Sequence, residues 1–235
     1  MGSRIFSTIT TDAIATTATN GRSRSPLHRN QGPTRMSDVS QPEYWSKLYQ
    51  TNEAGWDKGR CAPPIARLLA EGFLSVGAHV SVIGCGPGHE AFEAARLGFE
   101  VTAVDFAPEA IAAVRAMAAE RQLNLHAAQA DIFDLAQRWP GHFDAIIEHT
   151  CLCAIDPARR EEYTQAIAGA LKPSGLLCGL FYAHNRPAGP PYSIDENEVR
   201  RLFAPRFHLE RLTIAPDSFE NRAGQELEFI ARRRD

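Results

Sequence analysis

The chain has 235 residues, 44% hydrophobic and 23% charged, with a formal net charge of −3; this suits one well-buried domain and is too short for two ordinary ones. Nothing in the charge balance points to nucleic acid or to an anionic membrane, and no apolar run approaches the roughly 18 residues that span a bilayer. Five cysteines, an odd number without C-x-x-C spacing, argue against a disulfide framework and against a structural zinc site, so no metal is expected.

The first 35 residues are rich in Ser, Thr and Arg, with Asp12 as their only acid. They lack the periodicity of a packed element and are read as disordered. Such a leader is either an organellar transit peptide or translated upstream sequence before Met36; the second reading is preferred and implies a cytoplasmic protein. The expected division is a leader over 1–40 and one folded domain over 41–235.

Within that domain helix and strand alternate. "QPEYWSKLYQ" predicts a short amphipathic helix, and "APPIARLLAEGF" a second helix, entered through Pro63 and Pro64. "HVSVI" reads as a buried strand, then a glycine turn, then "EAFEAARLGF" as helix and "EVTAVDF" as strand. "PEAIAAVRAMAAERQ" is strongly helical, "NLHAAQAD" a weaker strand, "FDAIIEH" a clear one and "RREEYTQAIAGALK" a helix. "GLLCGLFYAH" is the fifth strand, and the tail reads as helix "DENEVRRLF" and strands "FHLERLTIA" and "QELEFIARR". This order implies an α/β fold, a doubly wound and mostly parallel seven-stranded sheet with an antiparallel C-terminal edge pair. Ligands in such sheets sit beyond the carboxyl ends of the strands, which puts Gly84, Asp105, Asp131 and Glu148 along one rim.

The turn "GCGPGHE" carries Gly84, Gly86 and Gly88. Glycine tolerates φ > 0 and lets a ligand approach the backbone, and the helix start behind it favours a polar ligand group. Asp105, 21 positions after Gly84 at the end of the second strand, suits the two hydroxyls of a ribose, or else caps the helix from Pro108. A dinucleotide fingerprint needs its third glycine at position 89, where this chain has His89. The spacing G-x-G-x-G is instead that of enzymes using S-adenosyl-L-methionine (AdoMet), although the acid common two residues before the first glycine is here Val82.

"WSKLYQTNEAGWDKGR", "IGCGPGHE", "ADIFDL", "FDAIIEHTCLCAIDP" and "GPPY" together resemble the thiopurine S-methyltransferase family, and most closely its halide and thiol methyltransferase branch. The motifs keep order and spacing from about Tyr44 to the C-terminus, and this branch also lacks the acid at the Val82 position. The resemblance implies a Rossmann-like class I AdoMet methyltransferase. It implies a cofactor site with Trp45, Tyr49 and Trp56 as an aromatic cover, Gly84 with Gly86 and Gly88 in the loop, Asp105 at the ribose, and Asp131 with Ile132 at the adenine edge. His149 falls where relatives place a residue between cofactor and acceptor.

Methyl transfer from a sulfonium is an in-line displacement with an activated donor, so the protein mainly aligns the reactants and excludes water. His149 reads either as a general base toward a thiol or as pocket lining, Glu148 as a partner that orients cofactor or backbone, and Tyr182 and Tyr192 as acceptor-side aromatics. Cys151, Cys153 and Cys178 read as small apolar packing groups. The expected function is methylation of a small soft nucleophile (thiol, hydrosulfide, thiocyanate or halide) by a monomer that binds neither nucleic acid nor membrane. The alternatives are a bulkier thiopurine-like or metalloid acceptor, a nicotinamide oxidoreductase, and a non-catalytic AdoMet-binding protein.

Overall fold

Three of the helices open on proline: α1 (Pro42–Gln50), α2 (Pro63–Ala70) and α4 (Pro108–Glu120). A proline at the first helical position loses no hydrogen bond, because that N–H has no intrahelical partner. The computed structural model describes residues 39–235. Residues 1–38 of the expected leader, with Met36, lie outside the described residues.

The strands are β1 (His79–Ile83), β2 (Glu100–Asp105), β3 (Leu125–Gln129), β4 (Phe143–His149), β5 (Leu171–Tyr182), β6 (Phe207–Ile214) and β7 (Glu226–Arg233). The remaining helices are α3 (His89–Arg96), α5 (Leu135–Arg138), α6 (Arg160–Ala170) and α7 (Glu196–Phe203). Asp195 caps α7, its carboxylate accepting the Glu198 N–H at 2.8 Å. The sheet order is β3-β2-β1-β4-β5-β7-β6, with β1 to β5 parallel and β7 antiparallel to both β5 and β6. The doubly wound class I AdoMet-methyltransferase sheet expected from the sequence is therefore present, the reversed strand β7 lying one place in from the edge.

Strand alternation feeds two cores. Val80, Val82, Ala145, Ile147, Leu176 and Leu180 pack on one face with Leu68, Phe92 and Val114 of the helices. Phe143, Ile146, Leu177 and Phe181 pack on the other with Leu135, Ile167 and Phe203. Phe181 stacks on Phe229 of β7 with centroids 3.9 Å apart, joining the reversed strand to the parallel part. The helix α5 was not expected, because four residues are too few to show a helical period. β5 begins at Leu171, four residues before the expected Gly175, because Leu171 already pairs with Phe143; Ser174, with φ 58°, marks an irregularity before the pairing resumes at Leu176 with Ala145.

Strand order switches between β1 and β4, so their loops leave in opposite directions and open a crevice at the carboxyl end of the sheet. Next to it Gly179 of β5 pairs with Glu148 of β4 so closely that an added Cβ would lie 1.7 Å from the Glu148 carbonyl oxygen. Gly179→Ala must therefore push two central strands apart. The expected loss is about 3 kcal/mol, the upper end for overpacking, measured by urea unfolding; an unchanged midpoint would contradict this packing.

Candidate active site

A cavity of about 610 Å³ fills the crevice. Its floor is the glycine turn, in which Gly84 and Gly86 both have φ 52°. A Cβ on Gly84 would stand 2.7 Å from Cys151 Sγ, so glycine lets the loops after β1 and β4 meet. Gly84 and Gly86 line the cavity; Gly88 does not. A Cβ on Gly88 would meet Val114 and Phe92 at 2.8 and 2.9 Å, so glycine at this position serves helix packing.

Asp105, at the end of β2, faces the cavity and straps its floor. It accepts the Gly86 N–H and the Ala107 N–H, each at 2.9 Å. Burial pushes its carboxyl above the ordinary value, and the two amides only partly offset this. Asp131 and Ile132 form another wall, with Asp131 capping a short turn by accepting the Phe133 N–H at 3.0 Å.

Trp45 and Tyr49 of α1 and Trp56 of the following loop cover one side. Trp56 packs edge-on against both, at 5.6 Å from Trp45 and 5.5 Å from Tyr49. None of the α1 residues is fully buried. The helix is pinned through Glu109 of α4, which accepts from Ser46 and from Gln50 at 2.7 Å each. The Trp56 loop is pinned by Asp57, 2.9 Å from His89. This contact joins the W-D-x-G-R and G-C-G-x-G-H segments.

His149, Arg222 and Arg186 come together in the cavity lining around Tyr182. His149 closes β4 with Nδ1 2.9 Å from Glu90 Oε1 and Nε2 3.8 Å from Glu226 Oε1. Burial alone would lower its pKa, but Glu90 and Glu226 outweigh burial and hold it up at about 9. Arg222 donates to the same Glu226 oxygen at 3.0 Å and lies 3.4 Å from His149 Nε2. With a protonated imidazole these are two donors sharing one carboxylate. Tyr182 lies beside this group, its ring 5.1 Å from the Arg222 guanidinium and 5.4 Å from that of Arg186. Arg186 donates to the Tyr182 hydroxyl at 3.0 Å and has no carboxylate partner among the described residues.

Glu148, expected beside the reacting groups, does not line the cavity. Its side chain is fully buried, accepting the N–H groups of Cys151 at 2.6 Å and Leu152 at 3.2 Å and the hydroxyl of Tyr163. The reading of Glu148 as an orienter of neighbouring backbone describes this geometry. Tyr192 also misses the cavity, to which its loop contributes Pro190 and Pro191. Of the cysteines, Cys178 is buried away from the cavity, while Cys151 and Cys153 line it. Burial pushes the Cys151 thiol far up, so it stays neutral. Sequence reasoning missed Glu90, Arg222, Arg186 and Glu226. Glu90 is the last residue of the quoted glycine motif, and the charges in "QELEF" interrupt an apolar strand at positions that prove buried.

A family model described as thiopurine S-methyltransferase matches residues 40–232. A thiopurine S-methyltransferase of Pseudomonas fluorescens is 29% identical over 191 residues, 73% of this chain and 86% of the relative. Thiocyanate methyltransferase 1 of Arabidopsis thaliana is 27% identical over 186 residues, 77% of this chain and 81% of the relative. A solved structure, Burkholderia thailandensis 1,6-didemethyltoxoflavin-N1-methyltransferase with 1,6-didemethyltoxoflavin and S-adenosylhomocysteine, superposes with a TM-score of 0.68 at 20% identity, covering 83% of this chain and 87% of that one. At that identity the likeness is one of fold.

Burial, partly offset by its three donors, pushes the Glu148 carboxyl up to about 7. A carboxyl raised on folding favours the folded state while protonated, and that contribution is lost as pH rises through about 7. Tyr163→Phe removes a donor to the ionised form. It should cost about 1.5–3 kcal/mol at pH 8, the range for hydrogen bonds to charged groups, and less at pH 5.5. Urea unfolding at both pH values checks this; equal losses would contradict it.

Proposed function

The chain belongs to the thiopurine S-methyltransferase family and is an AdoMet-dependent S-methyltransferase, and from that premise we propose that its acceptor is a small, soft anion: a thiolate, hydrosulfide, thiocyanate or halide. One observation carries the proposal. His149, Arg222 and Arg186 turn a cationic group toward the cavity, the carboxylates Glu90 and Glu226 that partner the first two standing outside its lining, whereas Asp131, like Asp105 a lining carboxylate, has Arg159 beside it.

The residues present fit the cofactor. Gly84 and Gly86 offer backbone without side chains, Asp105 offers a buried carboxylate for ribose hydroxyls, and Asp131 with Ile132 offers an edge and an apolar face for adenine. Trp45, Tyr49 and Trp56 present π faces suited to a nearby sulfonium and shield it from water. AdoMet supplies an activated methyl group, whose bond to sulfur breaks with the electron pair going to sulfur as the acceptor's lone pair bonds carbon.

An imidazole held protonated near neutral pH has no free lone pair for a thiol proton. In this reading His149 is therefore not a general base, and the acceptor enters already ionised. His149 and Arg222 hold the anion, and Tyr182 limits its size. Glu148 acts one step removed, holding the Cys151–Leu152 backbone that forms the floor beside Gly84. No catalytic proton transfer remains, so alignment and exclusion of water supply the rate. The named activity of the Arabidopsis thaliana relative, thiocyanate methylation, is of this chemical kind. Five cysteines, none in a disulfide, suit a reducing compartment such as the cytoplasm.

Headspace gas chromatography with AdoMet and thiocyanate, hydrosulfide or iodide should detect the methylated products. Turnover of a thiopurine with none of these anions would reverse the acceptor assignment. Asp105→Ala should weaken AdoMet binding by about 1.5–3 kcal/mol in calorimetry; an unchanged dissociation constant would remove Asp105 from the ribose.

A further inference from the structure

The reaction as derived uses His149 but not the carboxylate behind it. Glu90 stands in the first turn of α3, 7% exposed, and does not line the cavity. A buried carboxylate is costly unless partnered. The Glu90 side chain has two partners in the structure: the Ala62 N–H at 3.1 Å, at the start of α2, and His149 Nδ1 at 2.9 Å. A carboxylate on Nδ1 decides which ring nitrogen carries a proton and how the ring is turned. Here it directs Nε2 toward Arg222 and Glu226, at the cavity end where the acceptor is proposed to sit.

We propose that Glu90 is a positioning residue, fixing the rotation and the charge of His149 so that the acceptor end of the cavity retains an anion. This rests on the acceptor reading above. The charged groups facing the ring are Glu90 from α3, Glu226 from β7 and Arg222 from the turn before β7; Glu148, its chain neighbour, is engaged by Tyr163. Glu226 Oε2 is buried with no hydrogen-bond partner among the described residues. Two buried carboxylates thus face one arginine, and a protonated His149 balances the sum.

Two measurements on the full chain test this. The first is a pH titration of ¹⁵N-labelled histidine by NMR with S-adenosylhomocysteine bound, the His149 signals being assigned from their loss in His149→Gln. At pH 7 both ring nitrogens of wild-type His149 should be protonated. In Glu90→Gln the midpoint should fall by about 1–3 pH units, the usual effect of one opposite charge at contact distance. The second is kcat/KM for thiocyanate, an anion at every working pH. Its alkaline limb should move down with the NMR midpoint through KM rather than kcat, and Glu90→Asp should restore part of the shift. A neutral ring in wild type at pH 7, or a midpoint unmoved in Glu90→Gln, overturns the proposal. The wild-type result decides even if the variant does not fold. Turnover is not needed for the titration, so failure of every anionic acceptor would overturn the acceptor reading separately.

Discussion

Two carboxylates buried beside the carboxyl ends of the strands set the terms for this structure. Glu90 and Glu226 come from α3 and β7, and the groups that compensate them, His149 and Arg222, come from β4 and the turn before β7. Removing one partner would leave a charge in low dielectric, a cost of several kcal/mol. The cluster therefore locks the helix behind the glycine turn to the reversed strand of the sheet, and it does so at one end of the cavity. Stability and the polarity of the site come from the same four side chains.

That polarity organises the proposed chemistry. Acidic groups, Asp105 and Asp131, stand where hydroxyls and an amino group would be bound, and cationic groups stand where an anion would arrive. The aromatic cover between them is attached by hydrogen bonds through Glu109 and Asp57, while none of the α1 residues is fully buried. A cover attached in this way can separate from the body without disrupting either hydrophobic core, as cofactor exchange would require. The neutral Cys151 thiol on the cavity floor is correspondingly a poor competitor for the methyl group.

Much of the fold was legible because the central strands β1, β2, β4 and the second half of β5 are largely apolar runs, as expected when both sheet faces are covered. Gly84, Asp105, Asp131 and Glu148 were placed on one rim from strand ends, and His149 was added by the family resemblance; all but Glu148 line the cavity. Two residues stand differently from what their motifs suggested, each for its own reason. A period of two says that side chains alternate, but not to which side the chain turns after the last residue. Glu148 therefore points to Tyr163 while His149 lines the cavity. Gly88 shares a motif with Gly84 but answers to Phe92 and Val114. Glu90, Arg222 and Glu226 escaped because they are far apart in sequence, and a buried ion cluster has no local period to reveal it.

In the proposed function the cavity holds an anionic acceptor against His149 and Arg222. Anomalous diffraction from crystals of the protein with S-adenosylhomocysteine, soaked in iodide, tests it most directly. An iodide peak inside the cavity, in contact with both side chains, is the expected result. Iodide bound only elsewhere, with the cationic end of the cavity taking neutral ligands instead, would contradict it.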